Sequence, residues 1–226
     1  ACTILSALNL KFLFYNSLVV MRDFSISTLN NTTPLFDAFD SDLFLSGFKG
    51  LNIFSVEALF RASSSNFASK SWKISNGVFT GNLTRLIWWE PAGNNCSLLF
   101  ENISCVNVLN NYFIYAFQVS WISFKNITID KLAQTTSKGL VFSISEYKNI
   151  LMEQINFIKV RIEYYLFVFS KCQINCFLEV RDINFNDSLV NNSELWFLYL
   201  YSIYIDDMNI YNMTSNGNDN WRLMYV

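Results

Sequence analysis

Proton-transfer chemistry near neutral pH usually relies on histidine, and this 226-residue chain has none. That removes the usual general base, the Ser-His-Asp and Cys-His arrangements and the commonest metal ligand. Carboxylates remain, and Asp206-Asp207 is the only adjacent pair. Asp40-Ser41-Asp42 and Asn216-Gly217-Asn218-Asp219-Asn220 faintly resemble calcium loops. Neither has the closing Glu of an EF-hand or the Gly-rich nonapeptide of a calcium-binding β-roll, so both read as solvated turns. The five cysteines include no Cys-X-X-Cys pair, which argues against zinc. The expectation is a protein that is not an enzyme and uses no metal or cofactor.

Covalent modification is the better-supported chemistry. Nine Asn-X-Ser/Thr sequons stand at Asn30, Asn31, Asn82, Asn95, Asn102, Asn126, Asn186, Asn191 and Asn212, where composition alone would give about four. The excess points to a secreted, N-glycosylated chain, with Asn82, Asn95 and Asn191 the strongest candidates. Cys172 and Cys176 are spaced to close a small disulfide loop, as extracellular proteins tolerate. Cys105 reads as a buried thiol, with a Cys96–Cys105 bridge as the alternative. Cys2 is left over and hints at a partner.

These residues are carried on a repeat. Corner residues Asp23, Gly50, Asn76, Asn102, Asn126, Gln154, Asp182 and Asp207 recur at intervals of 27, 26, 26, 24, 28, 28 and 25. Seven of the eight are Asn, Asp or Gly, the types that tolerate a left-handed backbone. Two positions before, and one, three and six after each corner, the chain is apolar in all but three of 32 slots. The exceptions are Gly77, Asn82 and Ser188. Alternation such as Ile127-Thr128-Ile129 is the signature of a half-buried strand. Further apolar runs, such as Leu140-Val141-Phe142-Ser143-Ile144 and Trp121-Ile122-Ser123-Phe124, give three strands per repeat. A repeat of this kind buries its apolar face only by stacking on its neighbours. The outward residues Glu101, Lys125, Glu153, Arg181 and Asp206 alternate in sign, as a rung-on-rung charge ladder requires. Trp196 and Trp221, each fourteen residues past a corner, are expected to stack, and Trp88-Trp89 should point one indole outward.

The pattern predicts an all-β fold: a single-stranded right-handed parallel β-helix of about eight coils of 24–28 residues. Segments such as Gly139–Ile144 leading to Asn149-Ile150-Leu151-Met152 and Ile155-Asn156-Phe157 resemble coils of the pectin-lyase-like superfamily. That resemblance implies clustered Asp, or Ca²⁺ with Arg or Lys, wherever such a fold is an enzyme. Here Asp207 is a corner and Asp206 belongs to the charge ladder. The Asn, Phe and Tyr bias in repetitive coils also resembles surface proteins of ciliate-like protists. The alternative architecture is a leucine-rich-repeat-like solenoid, against which the strand runs on the outer side speak.

One β-helix domain over 1–226 is expected, whole or as a segment of a longer β-helix or an end-stacking filament. Net charge is −2 with no basic stripe, which gives no reason to propose nucleic acid. The longest apolar stretch, Leu195 to Ile205, is far short of the roughly 20 residues of a spanning helix. Leu8, Leu10, Phe12 and Phe14 near one end and Leu223-Met224-Tyr225-Val226 at the other are apolar, so the ends should be covered by copies of itself or by other chains. The reading is an extracellular, cell-surface structural glycoprotein, a building block of a coat or fibril. A carbohydrate-binding adhesin ranks second, and a polysaccharide lyase or hydrolase third.

Overall fold

The computed structural model describes residues 2–55, 58–63, 67–75, 78–79, 85–90, 97–109, 112–133, 140–162, 165–172, 175–190, 194–198, 202–215 and 222–225. Among them there is no helix; parallel strands stack as a β-solenoid of about six turns. The pattern predicts about eight coils, and the count differs partly because successive corners number one more than the turns between them. The strand Tyr112–Ala133 shows how a turn is made. It runs through almost one whole coil and bends where Gln118, Asn126 and Lys131 take φ of 54°, 54° and 56°. A left-handed residue reverses the pleat locally, so the chain turns a corner without leaving the ladder of backbone hydrogen bonds.

Each turn therefore has three corners. The sequence marks one of them, with left-handed Asp23, Asn102, Asn126, Gln154, Asp182 and Asp207. A second corner holds Asn107, Lys131, Lys159, Asp187 and Asn212, and a third holds Asn16, Asp40, Gln118, Glu146 and Lys171.

Register agrees with the repeat from Asn102 onward and departs from it before. Ile103, Ile127, Ile155 and Ile183 face one another on successive strands and form a buried column. In the second and third copies the expected corners are displaced. Arg22 pairs with Ser46 and Ser25 with Lys49, so Asp23 lies over Gly47 rather than Gly50. Lys70 pairs with Glu101 and Trp72 with Ile103, so the next corner is Ser71 rather than Asn76.

The two glycines explain the exchange. Gly47 has φ of 67°, and a Cβ there would lie 2.7 Å from Asp23 Oδ1. Gly50 is an inward position between Ile26 and Ile74, where a Cβ would come within 2.4 Å of Ile53 Cδ1. It is a packing glycine, not a corner. Consequently Ile53, not Val56, continues the column of Leu29, and Val78 is the residue opposite Leu109. The repeat slot assigned to Asn82 belongs to the displaced alignment, and Asn82 itself lies outside the described residues. Ile74, not Phe79, stands beside Cys105.

Equal residues stack on themselves through the interior. Phe12, Phe36 and Phe60 stack with centroids 5.3 and 4.8 Å apart, and Phe24 lies over Phe48 at 5.9 Å. Farther along, Phe100 stacks on Phe124 and Phe157 on Phe185. Where a larger ring enters, its neighbours shrink. Trp89 is fully buried between Ala62 and Ala116 on the flanking strands. Trp88 points the other way and is half-buried, as strand alternation requires. Met224 is the residue opposite Trp196; the expected Trp196–Trp221 stack involves Trp221, which lies outside the described residues.

Two substitutions probe this packing. Replacing Ile155 by Ala in its column should lower unfolding stability by about 2–5 kcal/mol in urea titration. Ala116→Leu should cost about 1–3 kcal/mol by crowding the Trp89 indole. That loss should shrink when Trp89→Leu is combined with it, and strictly additive losses would contradict the contact.

Candidate functional site

Side chains on the outer face meet their counterparts one rung away, about 4.8 Å along the axis. The corner series is in register throughout: Lys70, Glu101, Lys125, Glu153, Arg181 and Asp206 stand on consecutive strands. With Ser46 preceding Lys70, the true register places no like charges together in this column. Lys125 Nζ lies 3.4 Å from Glu153 Oε2. Arg181 instead pairs with Glu179 on its own strand. Asp206 sits opposite Arg181, and Asp207 is a left-handed corner beside it.

Amides form ladders of their own. Asn126 Nδ2 donates to Asn102 Oδ1 at 2.6 Å. Asn209 donates to Asn184, and Asn184 donates to Asn156, at 3.0 and 3.1 Å. At the third corner, Gln118 Nε2 donates to Glu146 Oε2 at 2.9 Å while Lys171 Nζ lies 3.6 Å from Glu146 Oε1.

The sequons therefore stand in different surroundings. Asn82, Asn95 and Asn191 are outside the described residues. Asn102 and Asn126 are joined to each other. Asn212 donates to Asp187 Oδ1 at 2.7 Å. Asn31 is fully buried, and its Nδ2 donates to Leu10 O at 2.6 Å, which leaves no room for a sugar. Asn186 is half-buried, and Asn30 is exposed. Cys172 and Cys176 are joined in a disulfide with Cα atoms 5.7 Å apart. Cys105 is a free, fully buried thiol whose pKa is pushed up by burial, so it is not bridged to Cys96. Cys2 is free and exposed. Asp40 is a left-handed corner, and Ser41 Oγ donates to Phe39 O and accepts from Ser17 N, so this stretch is a turn.

The strongest polar cluster is one that sequence reasoning missed. Leu13, Asp37, Arg61 and Trp88 are in register on successive strands. Asp37 is fully buried. Arg61 Nε donates to its Oδ1 at 2.8 Å while the Arg61 Nη2 donates to Oδ2, and Lys11 Nζ lies 2.7 Å from Oδ2. The guanidinium also faces the rings of Phe39 and Trp88, 5.8 and 5.6 Å from their centroids. Burial alone would raise the Asp37 pKa. The hydrogen bonds from Arg61 and Lys11, together with their charges, outweigh it and hold the carboxyl below its ordinary value. Chemically this is a staple across four rungs, with the fork of Arg61 matched to one carboxylate.

Among the described residues, no cluster of three or more His, Cys, Asp or Glu is placed to hold a metal ion. No helix there is long and apolar enough to cross a membrane, which says nothing of a β-barrel.

Removing Asp37 takes the shared acceptor from Lys11 and Arg61, which keep part of their solvent contact, so Asp37→Ala should cost about 1–3 kcal/mol of stability. Because the folded-state pKa is depressed, the Asp37 contribution is fully present above its unfolded value near 3.8. It is lost as pH falls through the lower folded value. Acid titration of unfolding should show a wild-type loss below pH 4 that the variant lacks. On the exposed corner, Lys125→Glu should cost only about 0.2–1 kcal/mol. Equal losses for the two variants would contradict this division between buried and exposed charge. No protein-family model, curated protein or solved structure matches this chain.

Proposed function

We propose that this chain is an extracellular structural glycoprotein, a β-helical building block of a cell-surface coat or fibril. The observation that carries the reading is the outer corner column. Its charged side chains stand rung over rung with alternating sign, and amide ladders run beside it. Polar groups engaged with their own neighbours along an axis suit a rod better than they suit a centre that binds and turns over a substrate. The nine sequons and the Cys172–Cys176 disulfide support an oxidising, secretory route. In this reading the fold is a right-handed coil of the pectin-lyase-like kind, and the rod extends through its ends, either into more of the same chain or into other chains.

A second reading, a carbohydrate-binding adhesin, is favoured by one observation. Trp121 and Tyr204 are both about half exposed on the outward side of the charged face, where flat rings can lie against sugars.

Labelling intact, unpermeabilised source cells with an antibody to this chain should decorate the surface, and deglycosylation of the native protein should lower its mass. Labelling only after permeabilisation, or an unchanged mass, would overturn the secreted reading. Saturable binding of defined glycans, lost in Trp121→Ala, would favour the adhesin.

A further inference from the structure

We infer that, of the overlapping sequons at Asn30 and Asn31, only Asn30 carries an N-linked sugar, and that its first N-acetylglucosamine lies on the ring of Phe54. This rests on the secreted reading above and gives it an address. The strand Leu29–Asn31 alternates buried, exposed, buried, so the two adjacent asparagines point to opposite faces. Asn31 faces inward without solvent contact, its amide nitrogen held by Leu10 O. A glycan on that nitrogen would have to pass through the packed interior. Asn30 faces water and has an apolar residue on either side: Leu8 on the preceding strand and Phe54 on the following one. Leu8 is 72% exposed and Phe54 37% exposed. Two outward apolar side chains flanking one hydrophilic anchor form a patch that a sugar can cover, since the C–H face of a hexose packs on an aromatic ring.

The group transferred is an oligosaccharide from a lipid-linked diphosphate donor. The bond from sugar C1 to the diphosphate oxygen breaks, and a C1–Nδ2 bond to Asn30 forms. The lipid diphosphate departs, and a base of the transferase takes the amide proton. Thr32 completes the Asn30 sequon. In the folded chain the Thr32 hydroxyl donates to Asn9 Oδ1 at 3.1 Å, so the transfer precedes folding; a chain that carried the sugar on Asn31 could not bury that side chain, and the folded, secreted protein is the one modified at Asn30.

The test is to secrete the full chain from a eukaryotic host and release its glycans with peptide N-glycosidase in H₂¹⁸O. Fragmentation of the peptide spanning both sites then locates the heavy aspartate. The label should fall on residue 30 and not on residue 31. The glycosylated protein should melt about 2–4 °C above Asn30→Gln, and that gap should close in a Phe54→Ser background. Label at Asn31, or an unmodified Asn30 beside sugars at other sequons, overturns this inference and leaves the secreted reading intact. A melting gap that persists in Phe54→Ser overturns the contact with the ring. Label at no sequon overturns both readings together.

Discussion

Everything in this fold depends on one constraint: each residue sits about 4.8 Å from its own equivalent on the next rung. A parallel stack therefore judges a side chain by whether it tolerates near copies of itself. Apolar residues do, and Phe36 lies almost parallel to Phe60, with 2° between ring planes. Amides do, because each carries both a donor and an acceptor, as in Asn156, Asn184 and Asn209. Charges do not, and so the corner column alternates from Lys70 to Asp206. A bulky ring tolerates only small neighbours, which is the position of Trp89 between Ala62 and Ala116.

The same constraint decides how much was legible in the sequence. Spacing identified the solenoid and the register of its last five copies, because corners from Asn102 to Asp207 carry polar or acidic residues ahead of strict apolar alternation. It failed between Asp23 and Asn102. The corners there are 24, 24 and 31 residues apart, so a steady period near 26 lands three and then five residues late. Gly50 drew the alignment to itself because glycine suits a corner, yet its role is to make room for the Ile53 side chain. The other two corners were harder to see, because only Asn107, Asp187, Asn212, Asn16 and Asp40 among them are of the types that favour a left-handed backbone. Lys131, Lys159, Glu146 and Lys171 are left-handed without belonging to the residue types that favour it. The Asp37–Arg61 pair was hidden by the register error, since only the 24-residue step brings those two residues together.

That pair shows why the two halves of the rod manage polarity differently. In the first rungs, Asp37 and Asn31 are buried outright, and one carboxylate draws in both Lys11 and Arg61. Outward positions nearby are apolar, with Leu13, Val20 and Phe44 each more than two-fifths exposed. A charge placed among such neighbours loses water on every side, so pairing must be close and hydrogen-bonded to hold it. Later rungs carry their charges on an open corner. There Lys125 and Glu153 remain partly solvated, and the pairing acts mainly to keep unlike signs adjacent.

The corner ladders have a further role in conformation. A non-glycine residue in the left-handed region is disfavoured by roughly 1–2 kcal/mol, and this chain adopts it at many positions. Three of the side-chain pairings fall where that cost falls. Asn102 and Asn126 are both left-handed and bonded to each other. Gln118, Glu146 and Lys171 are left-handed and form one chain of contacts. Asp187 and Asn212 are left-handed and paired. A side chain at a corner has its direction set by the bend, so the bend and the bond specify the same conformation. Once one rung holds its corner, the partner above is offered a hydrogen bond only if it bends in the same way. The ladder thus passes backbone conformation from rung to rung, which allows Glu146 and Lys171 to occupy corners that their own preferences would refuse.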